Sequence, residues 1–199
     1  KITAMKHLFL TVLFSAVITI GSLSQPVWVT QNPVPQCNSL NDVQFIGAST
    51  GYAAGNYGTI LKTTNGGLNW GSQVSTTIEN LKSISFLNAN TGFITGGFNT
   101  WLVLKTTNGG VTWAQSIINS GGSPYGIHFI DVNTGFVCGS VGVLMQTTNG
   151  GANWDMLSIG GIVNLYGICF SSALTGYIAG SAGDVYKTTN GGANWSTQT

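Results

Sequence analysis

The sequence contains no arginine and very little charge of either sign. Its 199 residues include six lysines and five acidic residues, so charged side chains make up only 6% of the chain. If the first 24 residues are a leader, as argued below, four lysines and five acids remain, and four minus five gives a net charge of −1. Nucleic-acid binding needs a basic surface that neutralises phosphates, so this composition argues against a nucleic-acid partner.

Cysteine is scarce as well, and helical periodicity is absent beyond the leader. The three cysteines are Cys37, Cys138 and Cys169. Cys138 and Cys169 could pair in an oxidising compartment, or they could act as small buried hydrophobic residues. Cys37 falls in a proline-flanked loop that suits a free thiol. No cysteine, histidine or acidic cluster has metal-ligand spacing, and we expect neither a metal nor a cofactor.

Four copies of the octet Thr-Thr-Asn-Gly-Gly-x-x-Trp stand out in this uncharged chain. Their tryptophans, Trp70, Trp113, Trp154 and Trp195, are 43, 41 and 41 residues apart. A period near 40 that carries a turn signal and an aromatic residue is typical of a repeat architecture.

Each repeat has the pattern of four short antiparallel strands. A β-branched residue and a phenylalanine two positions later, such as Ile84 and Phe86, predict a first strand. The pair Gly92-Phe93 then opens a second strand, and a third strand leads into the octet. The Asn-Gly-Gly core of the octet favours a tight hairpin turn, because asparagine and glycine accept positive φ. The tryptophan then opens a fourth strand.

A four-stranded sheet of this size must be covered by its neighbours. Radial stacking of such sheets gives a β-propeller, and a linear β-solenoid is the structural alternative. We therefore predict an all-β fold, a propeller of four-stranded antiparallel blades with four repeats present and an incomplete ring. The predicted blades are residues 40–79, 80–123, 124–163 and 164–199, preceded by an N-terminal strand and linker over residues 25–39.

The octet resembles the Asp-box, or bacterial neuraminidase repeat, with asparagine in place of aspartate in every copy. The residues at the pattern positions are Thr63, Asn65, Gly67 and Trp70; Thr106, Asn108, Gly110 and Trp113; Thr147, Asn149, Gly151 and Trp154; and Thr188, Asn190, Gly192 and Trp195. The resemblance implies a structural turn at the rim of each blade. The residue types also favour a structural role, because the asparagine side chain can bond backbone amides inside the turn and the tryptophan can pack over the hairpin.

The longer unit resembles the propeller repeat of photosystem II stability and assembly factors, over roughly residues 40 to 195. The opening residues 28–33, followed by residues 41–45, are similar to the start of secreted surface proteins of bacteria that use type IX secretion. Sialidases share the Asp-box, and their family grips a substrate carboxylate with three arginines. This chain has no arginine, so the resemblance does not extend to that clamp.

The N-terminus has the pattern of a secretory signal peptide. A basic start at Met5-Lys6 precedes the uncharged run from Leu8 to Ile20, and small residues follow up to Ser24. Thirteen residues are too few for a membrane span, which needs about 20. We expect residues 1–24 to be removed, residues 1–4 to lie upstream of the initiator, and the mature protein to be exported.

Four aromatic residues are candidates for a ligand contact at the propeller loops. The second repeat has a two-residue insertion that contains Phe98 and places Trp101 where the other repeats have glycine. Tyr57 and Tyr125 are weaker members of the same patch. The ligand would be a protein or a carbohydrate. Trp101 could instead pack on a neighbouring loop.

No catalytic group is expected from the sequence. His128 is the only histidine beyond the leader, and it lies at an inner-strand position that suits a polar residue between blades. We predict a secreted, non-enzymatic binding scaffold at the start of a longer surface protein. The strand that contains Trp28 would complete a later blade of that protein and so close a ring that contains further blades. Two alternatives remain open: an assembly chaperone for photosystem II, and a glycoside hydrolase whose catalytic residues lie beyond Thr199.

Overall fold

The fold was analysed in a computed structural model, which describes residues 37–161 and 163–198. These residues form four separate four-stranded antiparallel sheets, each built from consecutive strands. Each sheet corresponds to one repeat and is one blade of an incomplete β-propeller. The predicted fold class is confirmed. The predicted leader and Trp28 lie outside the described residues.

Each blade runs from an inner strand to an outer strand in chain order. The first blade contains β1 (Leu40–Phe45), β2 (Gly51–Gly55), β3 (Ile60–Thr63) and β4 (Gly71–Gln73). The second contains β5 (Leu81–Phe86), β6 (Gly92–Phe98), β7 (Thr100–Thr106) and β8 (Ala114–Ile118). The third contains β9 (Pro124–Phe129), β10 (Gly135–Gly139), β11 (Leu144–Thr147) and β12 (Asp155–Leu157). The fourth contains β13 (Leu165–Phe170), β14 (Gly176–Gly180), β15 (Val185–Thr188) and β16 (Ser196–Gln198). Two short 3-10 turns, Ser140–Gly142 and Ser181–Gly183, join the middle strands of the last two blades.

The spacing of phenylalanine and glycine in the repeat fixes the first hairpin of each blade. Phe86 on β5 pairs with Gly92 on β6, and the phenylalanine ring lies across the glycine backbone. A Cβ atom on Gly92 would be 2.3 Å from that ring. Only glycine therefore leaves room for the phenylalanine to lie flat on the neighbouring strand.

The hydrophobic core lies between successive blades. Tyr52 of the first blade packs with Phe86 and Trp113 of the second in one buried cluster. The second and third blades enclose a cluster around Phe93 and Phe129, and the third and fourth enclose one around Phe136. On β6, for example, Phe93 packs in the core toward the third blade and Ile94 packs in the core toward the first, as period-2 alternation requires.

Candidate functional site

The Asp-box turns lie at one end of every blade, which we call the box end. In each box the threonine hydroxyl accepts the N–H of the second glycine, as Thr63 does from Gly67 at 2.9 Å. The same hydroxyl donates to the asparagine Oδ1, as from Thr63 to Asn65 at 2.9 Å. That Oδ1 also accepts the N–H of the residue before the tryptophan, as from Asn69 at 2.9 Å. These side chains are committed to the turn itself.

The box tryptophans pack edge-on against the inner-strand phenylalanines. The indole of Trp113 is perpendicular to the ring of Phe86 with centroids 6.1 Å apart. The pairs Phe45–Trp70, Phe129–Trp154 and Phe170–Trp195 repeat this arrangement. Edge-to-face contact is a preferred aromatic geometry, so the box turn and the first strand of each blade stabilise each other.

Polar side chains on the inner strands bond to the backbone of the next blade. The carboxylate of Asp42 accepts the N–H of Ile84 at 2.8 Å and the hydroxyl of Ser83 at 3.0 Å. The Gln44 amide both accepts from Phe86 N–H and donates to its carbonyl oxygen. These contacts tie adjacent inner strands together.

His128 on β9 of the third blade occupies the repeat position that Gln44 has in the first blade. Its ring lies 5.6 Å from the ring of Phe170 in the fourth blade, nearly parallel to it. Burial lowers the pKa of His128 from its ordinary value, which favours the neutral imidazole. Among residues 37–161 and 163–198, no group of three histidine, cysteine or acidic side chains is arranged to hold a metal ion.

The opposite end of the blades carries the turns between the second and third strands, which we call the tip turns. Each tip turn contains a non-glycine residue with left-handed backbone geometry: Tyr57 (φ 54°), Asn99 (φ 61°), Val141 (φ 55°) and Ala182 (φ 60°). Left-handed geometry is unfavourable for a β-branched residue such as Val141. Strain of this kind is retained where surrounding contacts impose it and is concentrated at functional sites.

Two asparagines in the linkers between blades bond two of these left-handed residues, Tyr57 and Val141. The Oδ1 of Asn80 accepts the N–H of Tyr57, and its backbone oxygen accepts the N–H of Gly97 in the next tip turn. Asn164 connects Val141 and Ser181 in the same way. Each asparagine joins two successive tip turns, so the tip end is a preorganised surface.

The predicted binding residues divide among three environments. Tyr57 and Phe98 are exposed at the tip end, with 71% and 68% of their surface accessible. Ile78 in the adjacent linker is also exposed. Tyr125 is half-buried on β9, where its ring lies 5.4 Å from that of Tyr166 on β13. The left-handed turn residues were missed by sequence reasoning, although the periodic spacing of Tyr57, Val141 and Ala182 is a usable signal.

The expectation that Trp101 stands at a hairpin tip and faces a ligand is wrong. Trp101 is completely buried, and its indole N–H donates to Gly121 O at 2.8 Å. The two-residue insertion lengthens both strands of the hairpin, so the turn moves to Asn99 and Trp101 becomes part of β7. There it shares a strand face with Val103, two residues away, and packs in the core toward the third blade.

The cysteines do not form the disulfide that the sequence left open. All three are free thiols; Cys138 is buried, whereas Cys37 and Cys169 are exposed. Cys138 lies in the core between the third and fourth blades. Cys169 alternates with Ile168 and Phe170, which pack into that same core, and so its side chain points to the other face of the fourth blade.

No helix in the part of the chain that the structure describes is long and apolar enough to cross a membrane. A family model described as photosynthesis system II assembly factor YCF48 matches residues 22–158, which is more than half of the chain. No curated protein matches the sequence.

Several solved structures share the fold. One is YCF48 bound to D1 peptide, with 18% identity and a TM-score of 0.58 over 85% of both chains. YCF48 from Cyanidioschyzon merolae is 20% identical, with a TM-score of 0.63 over 78% of this chain and 52% of that one. The GH74 enzyme of Niastella koreensis is 18% identical, with a TM-score of 0.68 over 80% of this chain and 29% of that one. At these identities the likeness establishes the fold alone.

Proposed function

The chain belongs to the family of the photosynthesis system II assembly factor YCF48, and from that membership we propose that it is an assembly factor that binds a segment of another protein. The observation that carries the proposal is the family match over residues 22–158. A solved relative of the same name is bound to a D1 peptide. A protein segment is therefore the class of ligand that we assign to this chain.

The tip end supports this proposal physically. It presents the exposed apolar side chains Tyr57, Phe98, Ile78 and Val141. Linker asparagines bond the backbone N–H groups of Tyr57 and Val141, which fixes two of the turns. Large exposed aromatic residues on a preorganised surface bind proteins at low entropic cost. The box end offers less, because the first threonine and the asparagine of each box bond within the turn.

The family match favours the assembly-factor alternative over a secreted surface scaffold. Both functions involve binding another protein, and they differ in which protein is bound. Export of the chain remains part of the proposal because of the basic start and the apolar run that follows it. Sequencing the N-terminus of the protein recovered from an expressing bacterium tests it; an N-terminus at Gln25 is expected, and an intact Met5 in an exported fraction would contradict it.

We further propose that the protein is not an enzyme. GH74 enzymes share the fold, so the fold alone does not decide the matter. The support comes from the acidic residues: Asp42 accepts bonds from the next blade, and Asp131 accepts the N–H groups of Asn133 and Thr134. Those two backbone bonds lower the pKa of Asp131, whereas a glycosidase acid needs a raised one.

Binding of the D1 peptide to the intact chain tests the assembly function. A fluorescently labelled D1 peptide titrated with the protein should give saturable anisotropy. The double variant Tyr57→Ala/Phe98→Ala should weaken binding by about tenfold or more, as truncation of interface aromatics does. The matched control is Val111→Ala/Leu174→Ala, which removes two exposed apolar side chains from the box end and should bind normally. Absence of saturable binding by the wild type would contradict the proposed client, and equal losses in both variants would contradict the tip end as the site.

A further inference from the structure

Each Asp-box contains an Asn-Gly pair, the dipeptide most prone to spontaneous loss of the asparagine side-chain amide. Because glycine has no Cβ atom, its backbone nitrogen can approach the asparagine side chain without steric hindrance. The chain has four such pairs, and all of them lie in the boxes: Asn65-Gly66, Asn108-Gly109, Asn149-Gly150 and Asn190-Gly191. The dipeptides most sensitive to deamidation are therefore concentrated at the box end.

Deamidation needs a free glycine nitrogen and a mobile asparagine side chain. The glycine nitrogen loses its proton to hydroxide and forms a bond to the asparagine Cγ. The bond from Cγ to Nδ2 breaks, and the leaving nitrogen takes a proton from water and departs as ammonia. Water then opens the resulting succinimide at one of its two carbonyl carbons, which gives aspartate or isoaspartate. The net reaction consumes water and releases ammonia, and nothing is oxidised or reduced.

A box with its hydrogen bonds formed, which we call the closed box, holds both reacting groups in place. The asparagine Oδ1 of every box accepts two bonds, one from the first threonine hydroxyl and one from a backbone N–H. The N–H of the first glycine donates to a backbone oxygen in the loop between the first two strands of the blade, at 2.8 or 2.9 Å: that of Ser49, Asn90, Asn133 or Leu174. The four asparagines are exposed to solvent, so these bonds, rather than burial, restrain the reaction.

From this geometry we propose that the four Asn-Gly pairs are modification sites, which the closed box keeps as amides and which opening of the box converts to aspartate or isoaspartate. A deamidated box then records that its blade has opened locally. Aspartate accepts the same two bonds through a charged oxygen, so this product allows the box to close again. Isoaspartate has an additional methylene group in the main chain, which displaces the glycine from its place in the turn. This inference does not depend on the proposed assembly function.

The second box should be better protected than the third, although both belong to blades that have a neighbour on each side. The Nδ2 of its asparagine, which is the departing nitrogen, donates to Thr112 Oγ1 at 2.8 Å. The Tyr52 hydroxyl of the first blade donates to Gly109 O at 2.9 Å and so holds the attacking glycine. The third box has Asn153 and Phe93 at the equivalent positions, so it lacks both hydroxyls.

Mass spectrometry of the full chain tests the proposal. The folded protein is incubated in mildly alkaline buffer and digested with pepsin in acid, and the loss of amide is measured in each box. Acetylated peptides of residues 105–113 and 146–154 in the same buffer give the rates of the unprotected pairs. The second and third boxes should deamidate about tenfold or more slowly than their peptides, because three hydrogen bonds must break first. Rates equal to those of the peptides overturn the proposal.

Thr112→Val tests the bond to the departing nitrogen. The substitution keeps the shape of the side chain and removes the hydroxyl, so the second box should deamidate about two- to tenfold faster. The third box of the same molecule is the internal reference and should keep its rate. Thr107→Val changes an exposed threonine of the same box and is the matched control, which should leave both rates unchanged. An unchanged second box in Thr112→Val, or equal acceleration of both boxes, would contradict protection by the individual box.

Asn149→Asp introduces one of the two products directly. Its carboxylate should accept the bonds from Thr147 and from the Asn153 N–H that the amide oxygen accepts now, so urea unfolding should have a midpoint close to that of the wild type. Asn149→Leu has a similar size and no acceptor, and its midpoint should be clearly lower. Equal destabilisation by the two substitutions would show that the aspartate product does not allow the box to close.

Discussion

The ring of Tyr52 in the first blade lies nearly parallel to the ring of Phe86 in the second, with centroids 3.9 Å apart and planes inclined by 15°. The hydroxyl of the same tyrosine donates to Gly109 O in the next Asp-box at 2.9 Å. One side chain therefore joins the core between the blades to the turn at their end. The Asp-box contributes to packing between blades as well as to its own hairpin.

Truncation of a stacked inner-strand phenylalanine should cost far more stability than truncation of the unstacked one. Phe86→Ala removes a ring packed between Tyr52 and Trp113, and the expected loss is about 3–5 kcal/mol of unfolding free energy. Phe45→Ala changes the same repeat position in the first blade, where the ring is 44% exposed, and should cost clearly less. Urea unfolding of both variants beside the wild type measures the two losses. Equal losses would show that stacking between blades does not stabilise the fold.

The box threonine should be needed for its hydroxyl rather than for its shape. Thr106 is buried, accepts the N–H of Gly110 and donates to Asn108. Thr106→Val keeps the volume and leaves these groups unpaired, at an expected cost of about 1–3 kcal/mol. The neighbouring Thr107 is exposed, so Thr107→Val is the isosteric control and should be close to neutral. Thermal unfolding of the two variants decides the matter, and a neutral Thr106→Val would contradict the hydrogen-bond account.

The four blades were predictable because the same local sequence signals for strands and turns occur in all four repeats. Alternation around Ile84 and Phe86 indicates a strand, Asn-Gly-Gly indicates a tight turn, and a lone four-stranded sheet requires neighbours. All three rules depend on residues that are close in sequence. The contacts between blades, such as Gln44 with Phe86, join residues 42 positions apart and have no local signal.

The exposure of part of the candidate site is predictable for the same reason. Tyr57 and Phe98 are exposed, as aromatic residues in the loops of the sequence pattern are expected to be. Trp101 was placed at a tip because it aligns with glycines that form turns in other repeats. The two inserted residues lengthen both strands of the hairpin, so Trp101 lies within β7. Because side chains alternate along a strand, Trp101 points to the same face as Val103 and packs in the core. The left-handed Val141 is contrary to the preference of a β-branched residue; the tight turn closed by Val143 N–H and Ser140 O requires it, and the Asn164 contact from the next linker supports it.

His128 should make the fold less stable in mild acid. Burial lowers its pKa below the ordinary 6.5, so the unfolded chain takes up the proton at a higher pH than the folded one. The stability associated with the neutral ring is fully present above about pH 6.5 and is lost as the pH falls below that value. His128→Gln, which introduces the residue that the first blade has at this position, should remove this dependence. Urea unfolding at pH 7.5 and pH 5.5 compares the two proteins; His7 and the carboxylates are common to both. Parallel losses in the wild type and the variant would refute the assignment.

Cys138 and Cys169 should differ sharply in reactivity, although both are free thiols on adjacent blades. Thiol reagents attack the thiolate, and burial raises the pKa of Cys138 to about 12, so at pH 8 its reactive form is both rare and inaccessible. Cys169 is exposed. In a Cys37→Ser background, which removes the other exposed thiol, one thiol should react at once with Ellman's reagent and the second only after unfolding in denaturant. Cys169→Ser should abolish the fast phase, whereas Cys138→Ser should leave it unchanged. Two fast thiols in the folded protein would mean that the interface between the third and fourth blades opens readily. Because that interface contains the same aromatic stack as the other two, such opening would contradict the conclusion that stacking between blades holds the arc together.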